Sequence, residues 1–458
     1  MTSSDVRAET VGGERRLRVV HCVGFYFPET TGGTEVYVRD LVQALSRHSI
    51  EGTIVAATNG GEDRYQWQGV DVVRYRPDAA IKPGGSDGLA SSNRSLFQNI
   101  VAEAAPNIFH LHSWTPGAGL ISLRQAAQMG IPCIVTVHVP SALCLRGTML
   151  LHGKRPCDGH IEEMRCAQCW AEFRGLPAPA AWLVSHLPRR RTDDAITLVS
   201  PQAAALLSVR TTARLQGRDF RSMATLARCI VAPSQWVRAA LELNAVPAGK
   251  IVVSPQAAST TFAKGARGRR GDGDRQDVVI GFVGRLESYK GADLLMKAFT
   301  KVPRDLPVRL LVAGTGKEPR YTRMLARIAG RDPRIEMVGF VEHEDVPKFL
   351  EALDVLAVPS RYMETGPLVA LEAQALGIPV MGANLGGIAE RVRDGVDGWL
   401  LPFDDPQPWT DAIVQATTNR AELARLSSNQ RRTRTVEDVA LDMATLYRDV
   451  MAGRAFVR

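Results

Sequence analysis

Apolar positions along this chain recur in two rhythms that alternate. Short apolar runs such as LRVVHCV (17–23), GTIVAA, VDVVRY, NIFHLH and PCIVTVH predict buried strands. Between them, EVYVRDLVQAL (35–45) places Val36, Val38, Leu41, Val42 and Leu45 at helical spacing, and NRSLFQNIVAEAA and GLISLRQAAQM read the same way. Strand–helix–strand repetition predicts a parallel, doubly wound α/β sheet. The rhythm breaks from Pro140 to about Arg228, which reads as a Cys-, Arg- and Pro-rich insertion, and resumes with CIVAPS and KIVVSP. The hydrophilic stretch AKGARGRRGDGDRQD (263–277) holds no core-forming residue beyond Ala and predicts a linker. Beyond it the alternation restarts with VVIGFVG, VRLLVAG, IEMVGF, VLAVPS and IPVMGA as strands, and roughly 409–453 is helical by composition.

The expected organisation is therefore a first domain over 1–262 with an insertion at about 140–228, a linker over 263–277, and a second domain over 278–458 whose last helix can pack back on the first. Two such halves place a ligand cleft between them. A dinucleotide fingerprint would read G-x-G-x-x-G after the first strand. FYFPETTGGTEV stands there instead, which argues against an oxidoreductase.

The segment VPSRYMETGPLVALEAQALGIPV (358–380) narrows the chemistry. It reads as strand, loop and helix, with Pro367 suited to the first helical turn. A helix N-terminus suits phosphate, and the carboxylates of Glu364 and Glu372 suit vicinal sugar hydroxyls. Solvated acids would fit this stretch equally well on its own.

The chain has 458 residues, 45% of them apolar, and a net charge of +8, which suits a globular chain of two domains. No run of about 20 apolar residues predicts a membrane span. The polar N-terminus lacks a signal-peptide core, so a cytoplasmic location is expected. Between Arg146 and Arg228 there are 13 Lys or Arg against 7 Asp or Glu. That is first a solvated face, then a surface for anionic membrane; no motif supports nucleic acid.

Four segments together resemble glycosyltransferase family 4, retaining enzymes of the GT-B fold. They are FPETTGGTE (27–35), GFVGRLESYKG (281–291), AVPSRYMETGPLVALEAQALGIPV (357–380) and GGIAERVRDGVDGWLL (386–401). The resemblance implies two Rossmann-like domains facing across a cleft. It implies transfer of a sugar from a nucleoside-diphosphate donor, UDP- or GDP-linked, to a glycan or lipid-linked acceptor at the inner face of a membrane, in bacterial surface polysaccharide assembly. Arg285 and Lys290 would grip the diphosphate, Glu364 and His138 would orient the sugar, and Glu372 would hold the ribose. Gly366 and Leu368 would offer backbone N–H groups, and Gly32 and Gly33 would let the backbone approach the donor. His112 is a weaker candidate, while His21 and His110 are expected in sheet packing. Glu390 resembles a family acid near the cleft. Thr34 and Thr365 are expected as helix caps. Gln256-Ala257 replaces the family's Asn-Gly, and no site is assigned there. No catalytic metal is expected. A sugar-nucleotide epimerase of the same fold and a non-catalytic nucleotide-sugar-binding partner subunit are the alternatives.

Of seven cysteines, Cys22, Cys133 and Cys229 read as small buried apolar residues. Cys144, Cys157, Cys166 and Cys169 cluster in the insertion, where four thiolates would bind a structural zinc. An iron–sulfur cluster or plain reduced thiols are the alternatives, and His152 or His160 could substitute as ligands. Some bacterial members of the family carry a similar four-cysteine insert.

Overall fold

The structure is a computed structural model that describes residues 10–11, 14–30, 32–77, 95–187, 201–259, 262, 277–454 and 456. Two sheets form its frame. The first contains β1 (Leu17–Val23), β2 (Ile50–Ala57), β3 (Asp63–Trp67), β4 (Val70–Tyr75), β5 (Ile108–Leu111), β6 (Cys133–Thr136), β7 (Cys229–Ala232) and β8 (Ile251–Val253), in the order β8-β7-β6-β5-β1-β2-β4-β3. All neighbours are parallel except β3, which runs antiparallel to β4 at the edge. The second contains β9 (Val278–Val283), β10 (Val308–Ala313), β11 (Ile335–Gly339), β12 (Val355–Val358), β13 (Val380–Ala383) and β14 (Gly398–Leu401), in the order β11-β10-β9-β12-β13-β14, all parallel.

The apolar runs explain this frame. Strands covered on both faces need side chains that lose nothing by leaving water, and β5, β6, β7, β12 and β13 are buried at every position. β3, DRYQW, is half exposed and polar, and it carries no such signal in the sequence. In each sheet the chain works outward from its first strand to one side and then returns to the other. The crevice at such a switch point lies at the carboxyl ends of the strands, between β1 and β5 in the first sheet and between β9 and β12 in the second.

The helices that border the cleft and the insertion are α1 (Gly33–Leu45), α2 (Glu163–Phe173), α3 (Val209–Leu226), α4 (Gln235–Leu243), α5 (Leu368–Ala375), α6 (Gly386–Arg391) and α7 (Val436–Met451). The stretch between β6 and β7 forms a two-residue hairpin (Leu150–Leu151 with Arg155–Pro156) and helices including α2 and α3. A small apolar cluster of Ala167, Ala171, Ala181, Val209 and Ala213 holds those helices together. α7 follows the second sheet in sequence, yet Val439, Met443, Ala444 and Tyr447 pack with Val36, Leu41, Val42 and Leu45 in the core of the first domain. The expected linker lies outside the described residues except for Asp277. Among the described residues no helix is long and apolar enough to cross a membrane.

Candidate active site

The loop after β9 approaches the loop after β12 at the switch point of the second sheet. Gly291, at φ 73°, ends the short turn Ser288–Lys290, and a Cβ there would collide with the Pro359 carbonyl. Glycine therefore lets the two loops touch. The contact sets Lys290 Nζ 2.9 Å from Glu364 Oε1 and 3.0 Å from the Tyr362 hydroxyl. Ser360 Oγ donates a third bond to Glu364 Oε1, at 2.7 Å. Burial pushes the Glu364 carboxyl up, but Lys290, Ser360 and Tyr362 outweigh it and hold the group below its ordinary range. Arg285 is exposed, with its guanidinium 5.7 Å from the Tyr289 ring centre. A paired cation, an exposed cation and an ionised carboxylate thus stand at one strand-end crevice.

α5 leaves the second loop with Pro367 before its first residue and no side-chain cap. Thr365 is not the expected cap: its hydroxyl donates to the His138 carbonyl across the cleft, at 2.6 Å. Thr34 is not a cap either, because α1 begins one residue earlier, after Gly32. Gly33 faces the Leu368 side chain, 3.4 Å from where its Cβ would stand, so the first turns of α1 and α5 meet directly. Glu372, in the second turn of α5, is buried against α1 rather than open to the cleft. Burial, with Asp40 adding repulsion against a smaller opposing pull from Arg39, raises its carboxyl to about 8.

The first domain presents histidines. His138 is buried, and both of its ring nitrogens are engaged: Nε2 lies 3.1 Å from His112 Nδ1, and Nδ1 lies 3.0 Å from Gln256 Nε2. His21 and His110 sit inside the sheet packing beside His112, with His110 held between Thr136 and the Tyr447 hydroxyl. Among the described residues, His21, His110 and His112 are the His, Cys, Asp or Glu trio whose ligand atoms lie within 4.8 Å of one another.

Several residues near the cleft escaped the sequence reading. Glu35 folds against the Gly32 loop, its carboxyl raised by burial and lowered in part by Arg285. Arg39, paired with Asp40, reaches His343 of the second domain at 3.3 Å. The one usable signal was Glu35 within GGTE, two residues after the second glycine.

The two domains are closed on each other. Glu390 accepts the backbone N–H groups of Gln235 and Trp236, at 2.8 and 2.7 Å, so an acid on α6 caps α4 of the other domain. Trp236 Nε1 donates to the Glu364 carbonyl at 2.9 Å, and the Met363 N–H donates to the Thr148 carbonyl at 2.9 Å. A gap lined by Val36, Asp40, Ala257 and Leu368 measures about 10 Å³, room for one water and not for a nucleotide.

The four clustered cysteines are free thiols on the segment between β6 and β7. Cys144 and Cys157 lie close enough to Cys166 to add to burial in raising its thiol to about 11, and Cys144 does the same to Cys169. Cys169 Sγ accepts the His152 N–H at 3.2 Å, and Arg165 donates to Cys157 Sγ at 3.3 Å. His152 itself is engaged with Glu172 at 2.8 Å. No three of the thiols lie within 4.8 Å of one another, so the set is looser than a tetrahedral Zn–S₄ site. Exposed apolar residues also gather here: Phe173, Trp182 and Leu183 are half exposed.

Comparison with known proteins identifies the frame. The model described as "Glycosyltransferase Family 4" matches residues 31–262, and "Glycosyl transferases group 1" matches residues 270–433. The chain is 33% identical over 436 residues to a protein of Rhodococcus erythropolis named D-inositol 3-phosphate glycosyltransferase, covering 90% of this chain and 86% of that one. It is 39% identical over 178 residues to a protein of the same name from Mycobacterium sp. strain KMS, covering 37% and 40%. That match and the one to Corynebacterium urealyticum, 35% identical, span only about two fifths of the relatives' length. Among solved structures, Anabaena HepE in complex with UDP and glucose superposes with a TM-score of 0.59 at 17% identity, covering 94% of this chain and 99% of that one. Sucrose-phosphate synthase from Thermosynechococcus elongatus gives 0.63 at 19%, covering 96% and 100%. These likenesses give a two-domain GT-B fold, and the chain belongs to glycosyltransferase family 4.

Proposed function

We propose that this protein is a retaining glycosyltransferase that moves a sugar from a nucleoside-diphosphate donor to an acceptor hydroxyl. The observation that carries this is the Lys290–Glu364 pair beside Arg285 at the switch point of the second sheet. As the bond from the anomeric carbon to the donor phosphate breaks, negative charge grows on the leaving diphosphate. Fixed cations placed where that charge develops lower the barrier, which is the role of Lys290 and Arg285. Glu364, held ionised, accepts hydrogen bonds from sugar hydroxyls, and Glu372 accepts those of the ribose once the domains part. Gly32, Gly33, Gly366 and the Leu368 N–H border the same space. The acceptor oxygen bonds to the anomeric carbon on the face the diphosphate leaves, and its proton passes to the leaving phosphate oxygen. No side chain is required as a nucleophile.

The acceptor class we infer is a glycan or lipid-linked hydroxyl of bacterial surface polysaccharide assembly. The name shared by the relatives adds a phosphorylated polyol to the acceptors worth trying. A thermal-shift screen of UDP-, GDP- and ADP-sugars on the purified protein is the direct test. One base should raise Tm by several degrees, and product should then form with D-inositol 3-phosphate or a glycan acceptor. A chain that no nucleotide sugar stabilises is not this enzyme. Rapid donor conversion without acceptor would instead favour the epimerase.

For Cys144, Cys157, Cys166 and Cys169 we propose a structural zinc. The donor set fits a thiophilic cation: the thiols are reduced, they repel one another as thiolates, and N–H donors already face two sulfurs. Side-chain rotation would have to close the set. Elemental analysis should find one zinc per chain, lost in Cys166→Ser; a metal-free wild type would remove the assignment.

A further inference from the structure

We propose that Arg361 and Asp293 are positioning residues for transfer, a bidentate pair that locks two loops of the second sheet together so that Lys290 faces Glu364 and the leaving diphosphate. This rests on the glycosyltransferase reading of the cleft.

Lys290 lies between tie points on its own loop. Before it, the Tyr289 carbonyl accepts the Arg361 N–H at 2.7 Å. After it, Gly291 packs against the Pro359 carbonyl. Asp293, in the first turn of the helix Ala292–Phe299, then takes the Arg361 guanidinium on both oxygens. Nη1 lies 2.7 Å from Oδ1, and Nη2 lies 3.1 Å from Oδ2. On the facing loop Arg361 stands between Ser360 and Tyr362, the two residues that reach Glu364 and Lys290. One side chain thus ties down both loops beside the groups that do the chemistry.

Asp293 is built to hold that tie. It is 4% exposed. Its Oδ1 also accepts the Tyr321 hydroxyl at 3.0 Å, and its Oδ2 accepts Lys297 Nζ at 2.9 Å. The Tyr321 oxygen in turn accepts the Asp293 N–H at 3.1 Å. Arg361, Tyr321 and Lys297 together fill the acceptor sites of the carboxylate. Burial pushes the Asp293 carboxyl up, but Arg361 and Lys297 outweigh it and hold the group below its ordinary range. A planar fork on a fixed carboxylate allows one orientation, which a lysine in its place would not impose.

Arg361 spends both terminal nitrogens on Asp293, where its charge is matched, so it is not a third cation for the diphosphate. Nor is stability the main return of a buried ion pair, since a neutral pair of similar size often serves a fold as well. What the pair fixes is geometry. A reacting group misplaced by about 1 Å can lose on the order of 10²-fold in rate.

The test follows UDP release and donor affinity together, with UDP-glucose as donor, or the GDP or ADP sugar if that base is the one that raises Tm. Arg361→Met/Asp293→Asn removes both charges, and the Asn keeps an acceptor for Tyr321. This variant should melt within a few degrees of wild type and bind the donor within about threefold by titration calorimetry, yet lose about 10- to 100-fold in kcat. Arg361→Lys keeps the charge without the fork. It should lose about 3- to 10-fold in kcat, and it is read even if the double variant does not fold. In a Lys290→Met background, Arg361→Lys should cost less than about twofold further, because the group it positions is gone. An unchanged kcat, a donor affinity that falls as far as kcat, or the full loss repeated without Lys290 overturns the proposal. A wild type that turns over no nucleotide sugar overturns the glycosyltransferase reading, and the proposal with it.

Discussion

Lys290→Met will slow transfer by orders of magnitude and destabilise the fold at once, and the two losses will separate in a double variant. Removing a cation from a developing leaving-group charge costs on the order of 10²- to 10³-fold in kcat. Lys290 also pairs with Glu364, whose side chain is 8% exposed. Leaving a buried carboxylate unpaired costs about 3 kcal/mol, or roughly 6–10 °C in Tm for a domain of this size. Lys290→Met/Glu364→Gln removes both charges and should recover most of the Tm with none of the activity. The pair's sign with pH is fixed by the depressed Glu364. Its contribution is full above the ordinary value of 4.5 and is lost as pH falls through the lower folded value. Calorimetry of the three proteins at pH 7, beside initial rates, checks this. A single variant as stable as wild type would mean that the ion pair is incidental.

Glu372→Gln should do the opposite, raising stability while lowering donor affinity. In the closed structure the Glu372 carboxyl is raised to about 8 by burial and by Asp40. A raised carboxyl favours the compact state while protonated. Its contribution is full below the ordinary value of 4.5 and drains away as pH climbs towards 8. Glutamine keeps the shape without the charge. The variant should melt several degrees above wild type at pH 8.5 and close to it at pH 5. Loss of a charged acceptor for the ribose hydroxyls should weaken nucleotide binding about 10- to 100-fold. Wild-type affinity should rise with pH over the same window, because donor binding exposes and ionises the group. A variant no more stable than wild type at pH 8.5 would sink the argument.

What the sequence disclosed was whatever depends on a residue's own neighbours. VDVVRY is a strand over 70–75 as read, and the segment after Pro367 begins a helix as read. Edge strand β3 was missed because one solvated face replaces its apolar run with DRYQW. Thr34 and Thr365 were misread for a different reason. A cap is a local pattern, but Thr365 has a better partner, the His138 carbonyl, supplied by the segment after β6, 227 residues away. Gln256 stood out only as a departure from the family's Asn-Gly, since its neighbours, His138 on one side and Gly366 on the other, come from distant segments. Glu372 was visible as an acid at helical spacing, while its burial against Asp40 belongs to the closed arrangement of two domains.

The return of α7 to the first core has a mechanical consequence. The chain passes between the domains twice, and where the first passage begins, Ala258 is bridged to Thr435 of the second. Two adjacent tethers act as the pin of a hinge. They leave one easy axis of rotation and resist twisting about the others. Opening wide enough to admit a nucleotide then swings Glu390 off α4 and Thr365 off His138 along one arc, and closing brings both back in register.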